Sequence, residues 1–234
     1  ELCKVMSDLK NAGNEIIIVS SGAIGMGAGK LVLSEKPKDI RTKQAAAAVG
    51  QCELMYTYDK LFSEYNHTVA QILITGEDIE HAERSRNFEN TMLRLLELGA
   101  IPIINENDSV ATDEIVIGDN DTLGAIVAKS ISADLLILLS DIDGLFTADP
   151  HKDKNAVLLS EVKEITPEIE GMTGGAGSRL GTGGMTTKLN AAKIATAAGI
   201  DMVIANGKET TVLYDITEGK RVGTKFLSRK AENQ

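Results

Sequence analysis

Short apolar runs alternate with amphipathic segments along most of the chain, and this alternation predicts strands and helices in turn. The first segment places Leu2, Val5, Met6 and Leu9 on one helical face. Apolar runs that read as strands follow such segments at residues 16–19, 101–104, 135–139 and 202–204. Because these strands are apolar on both faces and alternate with helices, the sequence predicts an α/β protein whose mainly parallel sheet is covered on both faces.

Polar residues collect where the predicted strands end. Ligands of such sheets bind beyond the carboxyl ends of the strands, so these positions are candidate site residues. They are Ser20-Ser21-Gly22, Thr75-Gly76-Glu77-Asp78, Asn105-Glu106-Asn107-Asp108, Ser140-Asp141-Ile142-Asp143-Gly144 and Asn206-Gly207. The first offers hydroxyl and backbone donors to an anion, and Ser140-Asp141 offers contacts to a nucleotide or Mg²⁺. The alternative for each is an ordinary turn or helix cap.

A segment rich in Gly and Thr, Gly181 to Lys188, leads into a helix whose apolar stripe runs from Ala191 to Ala198. Glycines let backbone N–H groups approach an anion, the start of the helix adds the positive end of its dipole, and a lysine in the first turn adds a full charge. The pattern favours a phosphate-binding loop over an ordinary one, and we predict a mobile loop over the site from Gly171 to Gly184. A P-loop lookalike at residues 25–31 lacks the required Gly and the Ser or Thr after its lysine.

Composition and charge narrow the classes of function. The 234-residue chain is 43% hydrophobic, which suits one large globular domain. A net charge of −10 and an aromatic content of 3% argue against a nucleic-acid partner. The apolar runs are too short to span a bilayer and no signal-peptide pattern opens the chain, so we expect a soluble, cytoplasmic protein without membrane contact. Cys3 and Cys52 are expected to be small buried residues, and the histidines lack metal-ligand spacing.

Two dense clusters of amides and carboxylates lie close in sequence, Asn105-Glu106-Asn107-Asp108 and Gly118-Asp119-Asn120-Asp121. We expect both at one edge of the sheet, the second after a hairpin over residues 114–118. Either cluster alone is more typical of turns and helix caps, because Asn, Asp and Gly dominate those positions. Together they suit a small zwitterion, since carboxylates bind an ammonium group and amides bind a carboxylate.

Four segments, Ile104–Val110, Gly118–Asp121, Gly144–Pro150 and Gly181–Lys188, occur in an order and spacing that resembles the amino acid kinase family. The resemblance covers nearly the whole chain. It implies a three-layer αβα sandwich with a mainly parallel central sheet, ATP and Mg²⁺ as cofactors, and phosphorylation of the side-chain carboxylate of L-glutamate in proline biosynthesis. It also implies homo-oligomerisation and feedback inhibition by proline.

Carried over position by position, the resemblance implies a substrate site and a nucleotide site. Ser21, Asp108 and Asn120 would bind glutamate, with Gly22 and Asp119 beside them. The residues that would contact ATP are Ser140, Asp141, Thr182, Gly183, Gly184, Met185, Thr186, Thr187 and Lys188. Lys188 would also stabilise the transferring phosphoryl group, and Asp121 would orient that lysine. No protein ligands to a metal are implied.

The sequence departs from the family pattern where it begins. Family members open with a strand that carries a lysine and a Gly-Ser/Thr loop, whereas this sequence starts with Glu1-Leu2-Cys3-Lys4, inside what corresponds to the next helix. We therefore expect an N-terminally incomplete kinase domain over residues 1–228, a solvated tail over residues 229–234, and no RNA-binding-like C-terminal domain.

Two further functions stay open at this point. A sibling kinase acting on aspartate, acetylglutamate, carbamate or UMP would share many of these motifs, although the Asn/Asp clusters argue against it. A nucleotide- or amino-acid-sensing module without catalysis would agree with the missing first strand. Turnover of ATP with a panel of acceptors distinguishes the three functions.

Overall fold

The computed structural model describes residues 1–110, 119–150, 152–172 and 182–228. The chain divides into two compact units, Glu1–Asn120 and Asp121–Gln234, which we call the N-terminal and C-terminal units and describe separately. The predicted hairpin over residues 114–118, residues 173–181 of the predicted mobile loop, and the predicted tail over residues 229–234 lie outside the described residues.

The N-terminal unit alternates helices and strands as the apolar pattern predicts. Its elements are α1 (Leu2–Asn11), β1 (Ile18–Val19), α2 (Ala23–Lys30), α3 (Ile40–Ser63), β2 (Val69–Ile74), α4 (Gly76–Glu80), α5 (Ala82–Glu97) and β3 (Ile101–Glu106). Val5, Met6 and Leu9 of the predicted stripe are buried. The strand predicted over residues 16–19 is shorter than expected, because its ladder with β3 begins at Ile18.

The three strands form a parallel sheet in the order β1-β3-β2. β3 is central and buried along its whole length, which explains its run of apolar residues. Asn105 and Glu106, predicted to lie just past this strand, are its last two residues. Because the strands run parallel, the residues after β1 and those at the end of β3 lie at the same edge of the sheet.

Two glycines bring α2 and α3 into close contact. A Cβ atom on Gly27 would lie 1.7 Å from the carbonyl oxygen of Ala46, and one on Gly50 would lie 1.7 Å from that of Ala23. Gly22, which precedes α2, has a φ of 101°, a left-handed conformation that favours glycine. The contact therefore holds the beginning of α2 against the middle of α3.

The C-terminal unit has the same alternation. Its elements are α6, which starts at the last residue of the N-terminal unit (Asn120–Ser130), β4 (Leu135–Ser140), β5 (Glu161–Val162), α7 (Pro167–Gly171), α8 (Thr182–Ala197), β6 (Asp201–Asn206), α9 (Val212–Thr217) and β7 (Thr224–Phe226). The strand order is β4-β6-β7-β5, with β4 parallel to β6, β5 parallel to β7, and β6 antiparallel to β7. The predicted α/β class with mainly parallel strands is confirmed.

The core of the C-terminal unit lies between α8 and the sheet. Ala191 and Ala195 of the predicted helical stripe are fully buried and belong to one apolar cluster with Met202, Ile204 and Phe226. Small residues on this face of α8 let the helix lie close to the strands. The predicted stripe is thus confirmed at Ala191, Ile194 and Ala195, whereas Ala198 lies past the end of α8 and is exposed.

The start of α8 corrects the predicted phosphate-binding loop. The helix begins at Thr182, so Lys188 lies in its second turn and Gly184 is helical; Gly171, the other predicted end of the mobile loop, lies in α7. Glycine disfavours a helix by about 1 kcal/mol per residue. Side-chain contacts offset this cost, because Thr187 and Lys188 both donate hydrogen bonds to Asp121 of α6.

The two cysteines differ in burial. Cys3 is buried as predicted, but Cys52 is exposed, because α3 buries the face formed by Ala47, Gln51 and Leu54.

In the part of the chain that the structure describes, we find no helix that is both long enough and apolar enough to cross a membrane.

Candidate functional site

The N-terminal unit brings its predicted substrate residues to one edge of its sheet. Ser21 and Gly22 follow β1, and Asp108 follows β3, its parallel neighbour. The loop after β1 is anchored from α3, since the Ser20 and Tyr58 hydroxyl oxygens lie 2.9 Å apart in a hydrogen bond. Burial raises the pKa of Tyr58, so its hydroxyl stays protonated through the physiological range.

A chain of amide groups runs through this unit. The backbone N–H of Glu106 and the Nδ2 atom of Asn120 both donate to Asn105 Oδ1, at 2.9 Å and 3.3 Å. Asn105 Nδ2 in turn donates to Gln51 Oε1 at 3.0 Å. The predicted substrate residue Asn120 is therefore held by the end of β3, and β3 is tied to α3.

A cavity of about 420 Å³ opens beside these residues. Its walls come from the start of α2, from α3, from β2 and from the end of β3, and the lining residues include Ala23, Gln51, Gln71, Glu106, Asp108 and Ser109. The volume lies within the range of small-molecule sites. Burial raises the pKa of Asp108, which means that its carboxylate would gain from a cationic group bound beside it.

In the C-terminal unit the structure joins the two predicted catalytic residues directly. Lys188 Nζ lies 2.9 Å from Asp121 Oδ2, and Thr187 Oγ1 donates to the same oxygen at 2.8 Å. The Lys188 side chain is 11% exposed and that of Asp121 is 23% exposed. Asp121 lies in the first turn of α6, where a carboxylate is favoured by the helix dipole.

The other predicted nucleotide residues occupy the ends of elements in the same unit. Ser140 is the last residue of β4, and its hydroxyl donates to Asp141 Oδ1 at 3.1 Å. Residues 182–188 form the first two turns of α8, where backbone N–H groups at a helix start have no acceptor within the helix. Gly184 and Thr186 are exposed there and Met185 is half-buried. This edge of the unit combines helix N–H groups, hydroxyls and one lysine, a set suited to phosphate oxygens.

The predicted site residues thus fall into two sets, one in each unit. The N-terminal unit carries Ser21, Gly22, Asp108, Asp119 and Asn120. The C-terminal unit carries Asp121, Ser140, Asp141 and the start of α8. Among the described residues we find no cluster of three or more His, Cys, Asp or Glu side chains that would hold a metal ion.

Sequence reasoning missed Gln51 and Tyr58 of α3. A local signal for Gln51 exists, because it is a polar residue on a helical face that Ala47 and Leu54 otherwise make apolar. The feature that distinguishes Gln51, however, is its hydrogen bond with Asn105 on another element of the unit, and the local pattern does not show that bond. Tyr58 carries no such local signal, since its partner Ser20 is 38 positions away.

Comparisons with known proteins concern the family and the fold. A sequence model of the amino acid kinase family matches residues 1–206. A glutamate 5-kinase of Clostridium perfringens (strain 13 / Type A) is 54% identical over 236 residues, which cover 99% of this chain and 88% of that protein. A glutamate 5-kinase of Clostridium tetani (strain Massachusetts / E88) is 57% identical over 98% of this chain and 86% of its own length.

Solved structures with low sequence identity share the fold. Carbamate kinase from Giardia lamblia bound to AMP-PNP has a TM-score of 0.67 at 16% identity, covering 97% of this chain and 88% of its own. The isopentenyl phosphate kinase of T. acidophilum, in a product complex, has a TM-score of 0.63 at 17% identity, covering 96% and 88%. At these identities the likeness concerns the arrangement of helices and strands.

Proposed function

Because the chain belongs to the amino acid kinase family, we propose that it is an ATP-dependent kinase that phosphorylates the side-chain carboxylate of L-glutamate. The product is γ-glutamyl 5-phosphate, and the reaction is the first step of proline biosynthesis. The observation that carries the proposal is the sequence identity to glutamate 5-kinases, which exceeds one half over nearly the whole chain. The two sets of site residues described above support it.

The acceptor chemistry explains why the site needs no general base. A glutamate side chain has a pKa of about 4.3, so its carboxylate is already an ionised nucleophile at neutral pH. The protein must instead hold this anion, hold the phosphate donor and reduce the repulsion between them. Positive groups at the nucleotide site are therefore the central requirement.

Lys188 meets that requirement in the C-terminal unit. Its ammonium has three N–H donors, and its hydrogen bond to Asp121 Oδ2 uses one of them, which leaves donors for phosphoryl oxygens. Asp121 fixes the direction of the ammonium and receives a second hydrogen bond from Thr187. We assign phosphoryl-charge stabilisation to Lys188 and its orientation to Asp121. The backbone of residues 182–187, with Ser140 and Asp141, binds the nucleotide.

The N-terminal unit holds the acceptor. Asp108 lines a cavity large enough for an amino acid and lies half-buried there, so it is suited to bind the substrate ammonium. Asn120, fixed by Asn105, presents an amide to the substrate. Ser21 and Gly22 supply a hydroxyl and a backbone N–H from the loop after β1, and Asp119 precedes Asn120 at the start of α6.

Several further properties belong to the same proposal. Magnesium would enter with the nucleotide, because the nucleotide phosphates and water molecules supply most of the oxygen ligands of Mg²⁺ and one nearby carboxylate such as Asp141 suffices on the protein side. Family resemblance supports a cytoplasmic, homo-oligomeric enzyme that proline inhibits.

The proposal is tested with the full-length protein, ATP, Mg²⁺ and hydroxylamine, which traps an acyl phosphate as a hydroxamate. Formation of ADP is followed in parallel with glutamate, aspartate, N-acetylglutamate, carbamate and UMP as acceptors. Glutamate is expected to give both hydroxamate and ADP, with the highest kcat/KM of the panel. Turnover confined to aspartate or UMP would assign a sibling activity, and binding without turnover of any acceptor would indicate a sensing module.

A further inference from the structure

The orientation of the Gln51 amide is fixed by a backbone group. A backbone N–H can only donate, so the hydrogen bond from Glu106 N establishes that Asn105 presents Oδ1 to it. Asn105 Nδ2 is then the donor toward α3, and Gln51 must accept through Oε1. This leaves the Nε2 group of Gln51 as the end of the amide chain.

That Nε2 group is a buried donor without a partner. Gln51 is 8% exposed, and within the described part of the chain its Nε2 atom is buried and makes no hydrogen bond to the protein. An unsatisfied buried N–H donor costs about 1–3 kcal/mol, and such groups are uncommon in folded proteins. A donor left in this state, on a residue that lines a cavity, points to an acceptor that arrives with a ligand.

The surroundings of Gln51 identify the kind of acceptor. Gln51 and Asp108 line the same cavity, so the side chains around it include one with an unpaired amide N–H donor and one with a carboxylate. A free α-amino acid carries a carboxylate and an ammonium on the same carbon atom, which is the complementary pair. Asp108 is half-buried, and the rise in its pKa through burial means that a neighbouring cation would stabilise its carboxylate, which agrees with the ammonium half of this match.

We propose that Gln51 is a substrate-binding residue whose Nε2 group donates a hydrogen bond to the α-carboxylate of the acceptor amino acid. Gln51 thereby selects acceptors that are α-amino acids. The inference rests on the proposed function, because the acceptor is taken to be glutamate. The proposal gives α3 a role in substrate recognition, in addition to the role of the residues in the loops after β1 and β3.

The sharpest test is Gln51→Glu, assayed with glutamate and ATP. The new side chain keeps Oε1 as acceptor for Asn105 Nδ2 but replaces the Nε2 donor by an oxygen that repels a carboxylate. Loss of a hydrogen bond to a charged group predicts a rise of roughly 10- to 100-fold in the KM for glutamate, with the KM for ATP unchanged. The matched control is Gln71→Glu, which adds the same charge to an exposed side chain of the same cavity. This control should change the KM for glutamate by less than about fivefold.

A substrate analogue tests which carboxylate is bound. 4-Aminobutanoate is glutamate without its α-carboxylate, so its inhibition constant against glutamate should differ by less than about threefold between wild type and Gln51→Glu, within the range of an uninvolved group. Equal losses for glutamate and the analogue would overturn the assignment, as would an unchanged KM for glutamate or an equal effect of Gln71→Glu. If 4-aminobutanoate inhibits neither protein, the two KM comparisons decide.

A second variant covers the case in which Gln51→Glu does not fold. Gln51→Met keeps the length of the side chain without polar atoms, and it should raise the KM for glutamate roughly tenfold through loss of one hydrogen bond to a charged group. Failure of the two proposals is distinguishable. A wild-type protein without glutamate turnover contradicts the proposed function, whereas wild-type turnover with a normal KM in both variants contradicts only the role of Gln51.

Discussion

Substituting alanine for Gly27 tests the close contact of α2 and α3, two helices that line the cavity proposed to bind the acceptor. α2 contains three glycines at alternate positions, 25, 27 and 29. A Cβ atom on Gly27 would lie 1.7 Å from the Ala46 carbonyl oxygen, whereas Cβ atoms on Gly25 and Gly29 would meet no atom within 4 Å. The same substitution at neighbouring positions of one helix therefore differs only in what the new methyl group contacts.

The expected change in stability has one sign for Gly27→Ala and the opposite sign for Gly25→Ala and Gly29→Ala. Real Cβ contacts below 3.0 Å are essentially not found, so Gly27→Ala requires the helices to separate locally by about 1.3 Å. Overpacking of this kind costs about 1–3 kcal/mol, sometimes more, and exceeds the helix propensity that alanine regains. At Gly25 and Gly29 only the propensity changes, which should stabilise the protein by up to ~1 kcal/mol each.

The assay is urea unfolding of the three variants beside wild type, together with the KM for glutamate. Gly27→Ala should unfold at lower urea than wild type, and Gly25→Ala and Gly29→Ala at equal or higher urea. Because Ala23 and Gln51 line the cavity from the two helices, Gly27→Ala should also raise the KM for glutamate. A Gly27→Ala protein as stable as Gly25→Ala would refute the close contact at Gly27. The rise in the KM for glutamate expected from that contact would then lose its basis as well.

Two further predictions concern the charged residues. Lys188→Met should lower kcat by about 10²–10³-fold while leaving the KM for glutamate within about threefold. The control Lys193→Met, at a more exposed lysine of the same helix, should leave kcat nearly unchanged. Equal kcat values for Lys188→Met and wild type in steady-state assays would remove Lys188 from the mechanism. Burial raises the pKa of Asp108, so its contribution to stability is present below the ordinary Asp range and is lost as pH rises through the raised pKa. Asp108→Asn should therefore raise the melting temperature of the ligand-free protein at about pH 7, with a gain that shrinks toward about pH 4; a gain independent of pH in thermal scans would contradict this origin.

The alternation of apolar runs and stripes was enough to predict the α/β class and the strand ends at which the candidate site residues lie. It failed at the start of α8, where a sequence rich in glycine reads as a loop. Local propensity there is weak, and the hydrogen bonds from Thr187 and Lys188 to Asp121 support the helix from a position 67 residues earlier than Lys188. A contact of that range leaves no trace in the local pattern, so the boundary could not be predicted.

The polar contact between Gln51 and Asn105 raises the same difficulty, since 54 positions separate them. Successive residues of a strand point to opposite faces, so a register shift of one residue would present Glu106 to α3 in place of Asn105. The register of β3 is set by apolar ladder pairs such as Ile18 with Ile103. The apolar pattern, which the sequence shows, thus sets the register of β3. The register in turn sets the hydrogen bond between Gln51 and Asn105, which the sequence does not show. A substitution that shifts this register would remove the amide chain and leave Gln51 without its place in the site, although neither amide had been altered.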